Sequence, residues 1–439
     1  MSAHPFSHLE SIDAQAWPNV ATVPSGRFTK ARVRLAEAEF AKACFAAGLD
    51  LDPHSNAPAG PDLIIEHDAL FFRLADSGWL GLAESYMAGE WKTPDSTRLV
   101  KVLRALLEVH YAPRTRTIPV ADSSTGELPL DLVSFSAGDG LSQSGGIYAS
   151  GVPTTVRESV ENYRHRIGSR EPKTHYVDVT QFSVPEAVDR DDLGDAQRRA
   201  ADWLLDLSRT QPGTHLLVYP AAGLQAAIRA TSRRATVDVL TSDVDQRAAL
   251  QELLVLEGAQ DAVHVETIDT PVPGPAQWRG HYDAIISVEK LEALSPRERK
   301  AYVAGLDRLL GYEGRAVVQS TVATAALTAP ARFALQVLRA YIWPGLDFGE
   351  TEDVHKLFDR HSGLRITSQT HLGSHYLESL RQQRSFFEGH RREAAAAGFD
   401  RVFRRLWALQ FALREALFEL GMLDSVVFGA TRRHRGGRR

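Results

Sequence analysis

At 439 residues the chain is too long for one ordinary domain, and 44% hydrophobic with 24% charged residues is the composition of a globular protein with ample material for a core. A formal charge of −5 excludes a global attraction to nucleic acid, and a single cysteine, Cys44, excludes a disulfide framework or a cysteine metal site. No stretch approaches the roughly 20 apolar residues of a membrane span. Residues Met1 to Pro18 lack the basic-then-apolar pattern of a signal peptide, so a cytoplasmic protein is expected, at most peripheral at the inner membrane face.

Taken in chain order, Thr29 to Leu49 reads as a helix that carries Cys44. Leu63-Ile64-Ile65 is strand-like, Leu70-Phe71-Phe72 opens another helix, and Gly78 to Trp91 is a compact aromatic segment. A helix from about Thr97 to Val109 closes an N-terminal, mainly helical domain over residues 1–113, suited to lipid contact or oligomerisation. From Arg114 to Asp191 no period is sustained. Gly and Ser cluster at Ser134 to Gly140 and at Gly145-Gly146, so residues 114–191 read as an irregular linker region with one helix near Thr154 to Ile167.

Regular alternation follows. Ala196–Ser208, Leu224–Thr231, Asp245–Glu257 and Pro296–Leu310 read as helices. His215–Tyr219, Thr236–Thr241, Val263–Ile268, Tyr282–Ser287 and Arg315–Gln319 read as strands. This order predicts an α/β fold with a doubly wound, mostly parallel Rossmann-like sheet over residues 192–428. Helical stretches at Ala329–Phe348 and Leu377–Phe418 would cover its edge. Ligands of such sheets bind at the carboxyl ends of the strands. Residues 429–439 form a basic tail, with five arginines among the eight residues Arg432 to Arg439. Such a tail is either solvated or holds anionic headgroups at roughly 1 kcal/mol per basic residue.

The turn after His215–Tyr219 carries the strongest signal. A nucleotide-binding turn uses glycines to adopt positive φ and to bring the ligand close to the backbone. Here Pro220, Ala221 and Ala222 precede a lone Gly223. Pro220 fixes φ at about −65° and has no N–H to offer a ligand.

Several motifs in consistent order carry a resemblance across nearly the whole chain. They are Trp17-Pro18 with Val23-Pro24-Ser25-Gly26, Gly81 to Trp91, Ala196-Gln197-Arg198-Arg199, Ser287-Val288-Glu289-Lys290-Leu291-Glu292-Ala293, Tyr341 to Gly345, His375-Tyr376, Gly398-Phe399-Asp400, Trp407 and Glu415. With them the chain resembles the cyclopropane fatty acid synthase family, in particular its actinobacterial branch associated with 10-methyl branched fatty acids such as tuberculostearic acid. The resemblance implies a methyltransferase-type sheet, a helical N-terminal domain and a helical C-terminal cover. It also implies S-adenosylmethionine as cofactor and the unsaturated acyl chains of phospholipids as substrate.

The family's acidic residue and three glycines fall on Val218, Pro220, Ala222 and Leu224, with Gly223 between them. Its ribose contact falls near Asp243, Asp245 and Gln246. The bicarbonate-binding glutamate corresponds to Glu292 and the tyrosine that bonds bicarbonate to Tyr376, while Gln319 stands for a histidine. The family's cysteine segment has no counterpart, and Ser295 replaces a glycine. For Glu292 the alternative is a solvated carboxylate at a helix start, and for Tyr376 a packed core tyrosine. Two functions follow. One is a degenerate, non-catalytic lipid-binding protein or partner subunit, forming a homo- or hetero-oligomer with a catalytic family member or a flavin reductase. The other is an active S-adenosylmethionine-dependent methyltransferase. The surfaces expected to meet a partner are Gly78 to Trp91 and Leu377 to Phe418.

Overall fold

A computed structural model describes residues 6–25, 29–52, 60–124, 126–164 and 171–433, the side chains of 29–31 excepted. The chain forms two compact units. The first comprises Met1–Pro119, Ala326–Ile342 and Arg384–Met422, and the second Val120–Ala325, Trp343–Gln383 and Leu423–Arg439. This differs from a division at 113, 191 and 428. Most of the helical stretches expected to cover the sheet belong to the first unit, and most of the expected linker belongs to the second.

The first unit is built around helix Trp79–Ala88, packed by helices Ala69–Ser77, Ala329–Ala334, Gln336–Tyr341 and Arg401–Glu419. The motif residues explain this packing. Gly81 lies against the backbone of Arg73, where a Cβ would collide with the carbonyl oxygen. Gly89 ends the helix at φ 85°. Trp91 Nε1 donates to the Leu82 carbonyl at 2.9 Å and to Ser85 Oγ at 3.0 Å, and the Tyr341 hydroxyl donates to Glu84 at 2.6 Å. Buried Arg73 pairs with Glu90 at 2.9 Å and donates to the carbonyls of Asn19 and Val20. Nearly all the side chains of Gly78 to Trp91 are buried. Helix Arg401–Glu419 is likewise buried from Leu406 to Phe418. A short antiparallel pair, β1 (Ile64–Ile65) and β2 (Trp91–Lys92), completes the unit.

The second unit contains the expected sheet. Its strands are β3 (Pro153–Glu161), β4 (Thr174–Phe182), β5 (His215–Val218), β6 (Thr236–Thr241), β7 (Val263–Thr267), β8 (Tyr282–Val288), β9 (Leu310–Ala323), β10 (Leu364–His371) and β11 (Leu423–Arg432). They lie in the order β3-β4-β10-β11-β9-β8-β5-β6-β7. Strands β4/β10, β5/β6, β6/β7, β5/β8 and β8/β9 pair in parallel, and β3/β4, β10/β11 and β9/β11 antiparallel. Leu216, Leu217, Val218 and Ala284 to Ile286 are wholly buried, as parallel strands covered on both faces require. The winding reverses between β5 and β8, which places a crevice at their carboxyl ends.

Three expectations change. The helix expected near Thr154 to Ile167 is strand β3 up to Glu161, and residues 165–167 lie outside the described part. Its Thr- and Val-rich sequence is held by nine-residue pairing with β4, including Arg157 to Asp178 at 2.8 Å. The linker reading of 114–191 fails because β3 and β4 belong to the sheet. The basic tail does not begin at 429. Arg432 lies in β11 and pairs with Asp307 at 3.0 Å, and Arg433 pairs with Asp359. Residues 434–439 lie outside the described part. No helix among the described residues is long and apolar enough to cross a membrane.

Candidate functional site

Strands β5 and β8 end side by side, and each delivers one half of the site. After β5, Tyr219 and Pro220 lead into a short turn, Ala221–Gly223, and then helix Leu224–Ser232. Gly223 has φ −87°, so it supplies no left-handed turn. It is small because a Cβ would come within 2.8 Å of Val218 Cγ1. Val218 is core, with no exposure. Pro220 and Ala222 face a cavity of about 40 Å³, together with Gln143, Lys290 and Trp343. That is roughly the space of two to four waters.

Of the residues expected to hold a ribose, the side chains of Asp243 and Gln246 are engaged within the fold. Asp243 caps helix Val244–Leu256, accepting from the N–H groups of Asp245 and Gln246 at 2.9 and 3.1 Å. Asp245 is exposed in the first turn of that helix. Gln246 is buried, accepts from Thr241 Oγ1 at 3.1 Å and donates to the Leu128 carbonyl at 2.9 Å. The carboxylate that does enter the crevice is Glu127, which no sequence pattern singled out. Both its oxygens are shut off from solvent, and burial, the largest effect, pushes its pKa up to about 7. The lining residues Pro220, Ala222 and Glu127 do not match the glycine-rich turn that the resemblance implies for an adenosyl cofactor.

The second half follows β8. Glu289 adopts φ 49°, a left-handed conformation uncommon for a residue with a side chain. Its N–H donates to the Gln319 carbonyl at 3.0 Å, and its carboxylate accepts from the Tyr376 hydroxyl. Glu292 is buried and accepts from Ser320 Oγ at 2.8 Å and from the Thr321 N–H at 2.9 Å. Burial, reinforced by the nearby charge of Glu289, pushes its pKa up to about 7. Glu292 is thus not the solvated carboxylate of the alternative reading. It borders a cavity of about 220 Å³ whose lining includes Leu291, Val322, Val354 and Leu357. Gln319 turns to Ser425 Oγ at 3.4 Å.

The Tyr376 hydroxyl thus bonds Glu289 and the Gln319 amide bonds Ser425, while Glu292 is held by Ser320 and Thr321. Glu289, a motif residue with no role assigned from sequence, joins the tyrosine to the site. His375 is structural: its Nδ1 accepts from the Tyr148 N–H at 2.9 Å and its Nε2 donates to the Ser183 carbonyl at 3.0 Å, a neutral tautomer that burial favours. Ser295 replaces glycine as a helix cap, accepting from the Glu298 N–H at 3.3 Å while Glu298 accepts from the Ser295 N–H at 2.9 Å. Gln197, from the motif before the sheet, accepts from the N–H groups of Gly138 and Asp139 and donates to the carbonyls of Ser142 and Ser144. It thereby orders the glycine-rich stretch against helix Asp192–Leu207.

The sequence profile of the family described as mycolic acid cyclopropane synthetase matches residues 180–428. Among curated proteins the chain is similar to the tuberculostearic acid methyltransferase UfaA1 of Mycobacterium tuberculosis (strain ATCC 25618 / H37Rv), with 29% identity over 426 residues that cover 94% of this chain and 95% of the relative. Among solved structures it is similar to the cyclopropane synthase MmaA2 from Mycobacterium tuberculosis, with 21% identity, a TM-score of 0.49 and coverage of 56% of this chain and 87% of that one. It is also similar to the mycolic acid cyclopropane synthase CmaA1 complexed with SAH and CTAB, with 21% identity, a TM-score of 0.49 and coverage of 55% and 87%.

Proposed function

The chain belongs to the mycolic acid cyclopropane synthetase family, and from that premise we propose that it serves the modification of phospholipid acyl chains as a non-catalytic member, binding lipid or a catalytic relative instead of transferring a methyl group. One observation supports this above the others. The crevice at the ends of β5 and β8 keeps about 40 Å³ and is lined by Pro220, Ala222 and Glu127. Peripheral contact with the inner membrane face belongs to the same proposal, as does a partner that is either a family enzyme or a flavin reductase.

A second reading, an active S-adenosylmethionine-dependent methyltransferase with bicarbonate bound at Glu292, draws support from the other half of the site. A buried carboxyl group whose pKa is pushed up to about 7, beside a largely apolar cavity, suits a base site next to an acyl chain. Calorimetric titration with S-adenosylmethionine separates the two. The non-catalytic reading expects no saturable heat in the micromolar range. A dissociation constant below about 10 µM, roughly −7 kcal/mol, would favour the active enzyme. Co-expression with a catalytic family member, followed by size-exclusion chromatography and lipid analysis, tests the subunit form. Separate elution with unchanged methylated lipid would leave lipid binding alone.

A further inference from the structure

We propose that residues 121–124 and 126–128 form a strap that occupies the nucleotide crevice in place of a ligand and holds it shut, with Glu127 as the latch. The proposal rests on the non-catalytic reading and gives its physical cause.

The strap is fixed at both ends. The Ala121 N–H donates to the Pro344 carbonyl at 3.0 Å, the Ser124 N–H donates to the Glu298 carboxylate at 3.0 Å, and the Leu128 carbonyl accepts from Gln246 Nε2 at 2.9 Å. Gln246, which the family resemblance places at the cofactor, is thus spent on holding the strap. Between these anchors Glu127 faces the N–H groups of Ala221 and Ser242, the hydroxyl of Thr241 and the buried ammonium of Lys290. These groups come from the turn after β5, from the end of β6 with its following loop, and from the loop after β8. They are the polar groups that a doubly wound sheet presents to a ligand at its switch point.

The fit is incomplete. The donors approach Glu127 without reaching full hydrogen-bond geometry, so both its oxygens lack a partner among the described residues. Ser242 Oγ and the Tyr219 hydroxyl are buried in the same state. Buried polar atoms are normally satisfied, and those left open are costly. A carboxyl group of the chain set among these donors without full bonds stands where the acceptor of a ligand would stand.

The test uses the full chain and S-adenosylhomocysteine as probe, in three forms: unaltered, Pro220→Gly/Ala222→Gly, and the same pair with Glu127→Ala. Titration calorimetry reads binding, and hydrogen–deuterium exchange reads opening at 121–128. The strap predicts that adding Glu127→Ala to the glycine pair tightens binding at least 10-fold and speeds exchange of the strap at least 10-fold. If the triple variant does not fold, Glu127→Gln, which keeps the bulk and removes the charge, replaces it with the same two criteria. Equal binding by the double and triple variants, or unchanged exchange at the strap, overturns the proposal. Binding of the probe by the unaltered chain would instead end the non-catalytic reading itself.

Discussion

The hydroxyl of Tyr376 donates to Glu289, while Glu292, three residues further on, is held by Ser320 and Thr321. The two carboxylates flank one short loop, yet each has its own donors. This division lets two acidic groups share a buried site, because a hydrogen bond to the charged form offsets part of the cost of desolvating it.

Removing the hydroxyl should therefore act on Glu289. Tyr376 is buried, so Tyr376→Phe keeps the ring and its packing and deletes one donor to a carboxylate. A loss of about 1.5–3 kcal/mol is expected from urea unfolding near neutral pH, the usual range for hydrogen bonds to charged groups. An unchanged midpoint would mean that Glu289 draws its stabilisation from elsewhere.

Glu292 gives a pH dependence with a defined sign. Its pKa is raised from 4.5 to about 7 in the folded chain, so its contribution favours folding below about 4.5 and is lost as pH rises through about 7. Glu292→Gln removes that titration. Relative to the unaltered chain, the variant should gain stability between pH 5 and pH 8, by on the order of 2–4 kcal/mol. Urea midpoints of both proteins at the two pH values provide the check. A difference that stays the same at pH 5 and pH 8 would show that the carboxyl is ionised throughout.

Much of the sheet was legible from sequence because its central strands are buried on both faces and read as apolar runs between turn residues, as in Leu216 to Val218 and Ala284 to Ile286. Strand β3 was not legible. Pro153 to Glu161 is exposed along nearly its whole length and has no apolar face to show, so what makes it a strand is its distant partner β4. The site divides in the same way. Glu292 and Tyr376 stood in motifs at readable spacing. Glu127 stands in a stretch without pattern and reaches the crevice only through tertiary folding. Glu289 lies inside the motif Ser287 to Ala293, but its left-handed backbone, which sequence does not display, is the local signal that sets it apart.

Gly81 tests whether the N-terminal motif is architectural. A Cβ at this position meets the Arg73 carbonyl, and neither backbone segment can move without disturbing the buried Arg73–Glu90 pair. Gly81→Ala should lower stability by about 1–3 kcal/mol or more, the range for overpacking a tight core, despite the higher helix propensity of alanine. Differential scanning calorimetry gives the outcome. A variant as stable as the parent would return the motif to a surface role.

The arginines at the C-terminal end should separate into two functional groups. Arg433 is almost wholly buried, donates to the Leu364 carbonyl at 3.1 Å and pairs with Asp359, whose carboxylate also accepts from the Tyr163 N–H at 2.8 Å. Arg433→Ala leaves that carboxylate buried without its cation and should cost about 3–5 kcal/mol, as breaking a buried pair does. Deleting residues 434–439 touches none of these bonds and should leave stability unchanged. That deletion removes Arg435, Arg438 and Arg439. At roughly 1 kcal/mol each near an anionic surface, their loss should weaken sedimentation with anionic vesicles by up to about 100-fold at low salt. The effect should shrink at 0.5 M salt, where screening shortens the reach of charge, and should be absent with neutral vesicles. Equal vesicle binding with and without residues 434–439 would show that these arginines are merely solvated, and that any contact with a membrane is made by another part of the chain.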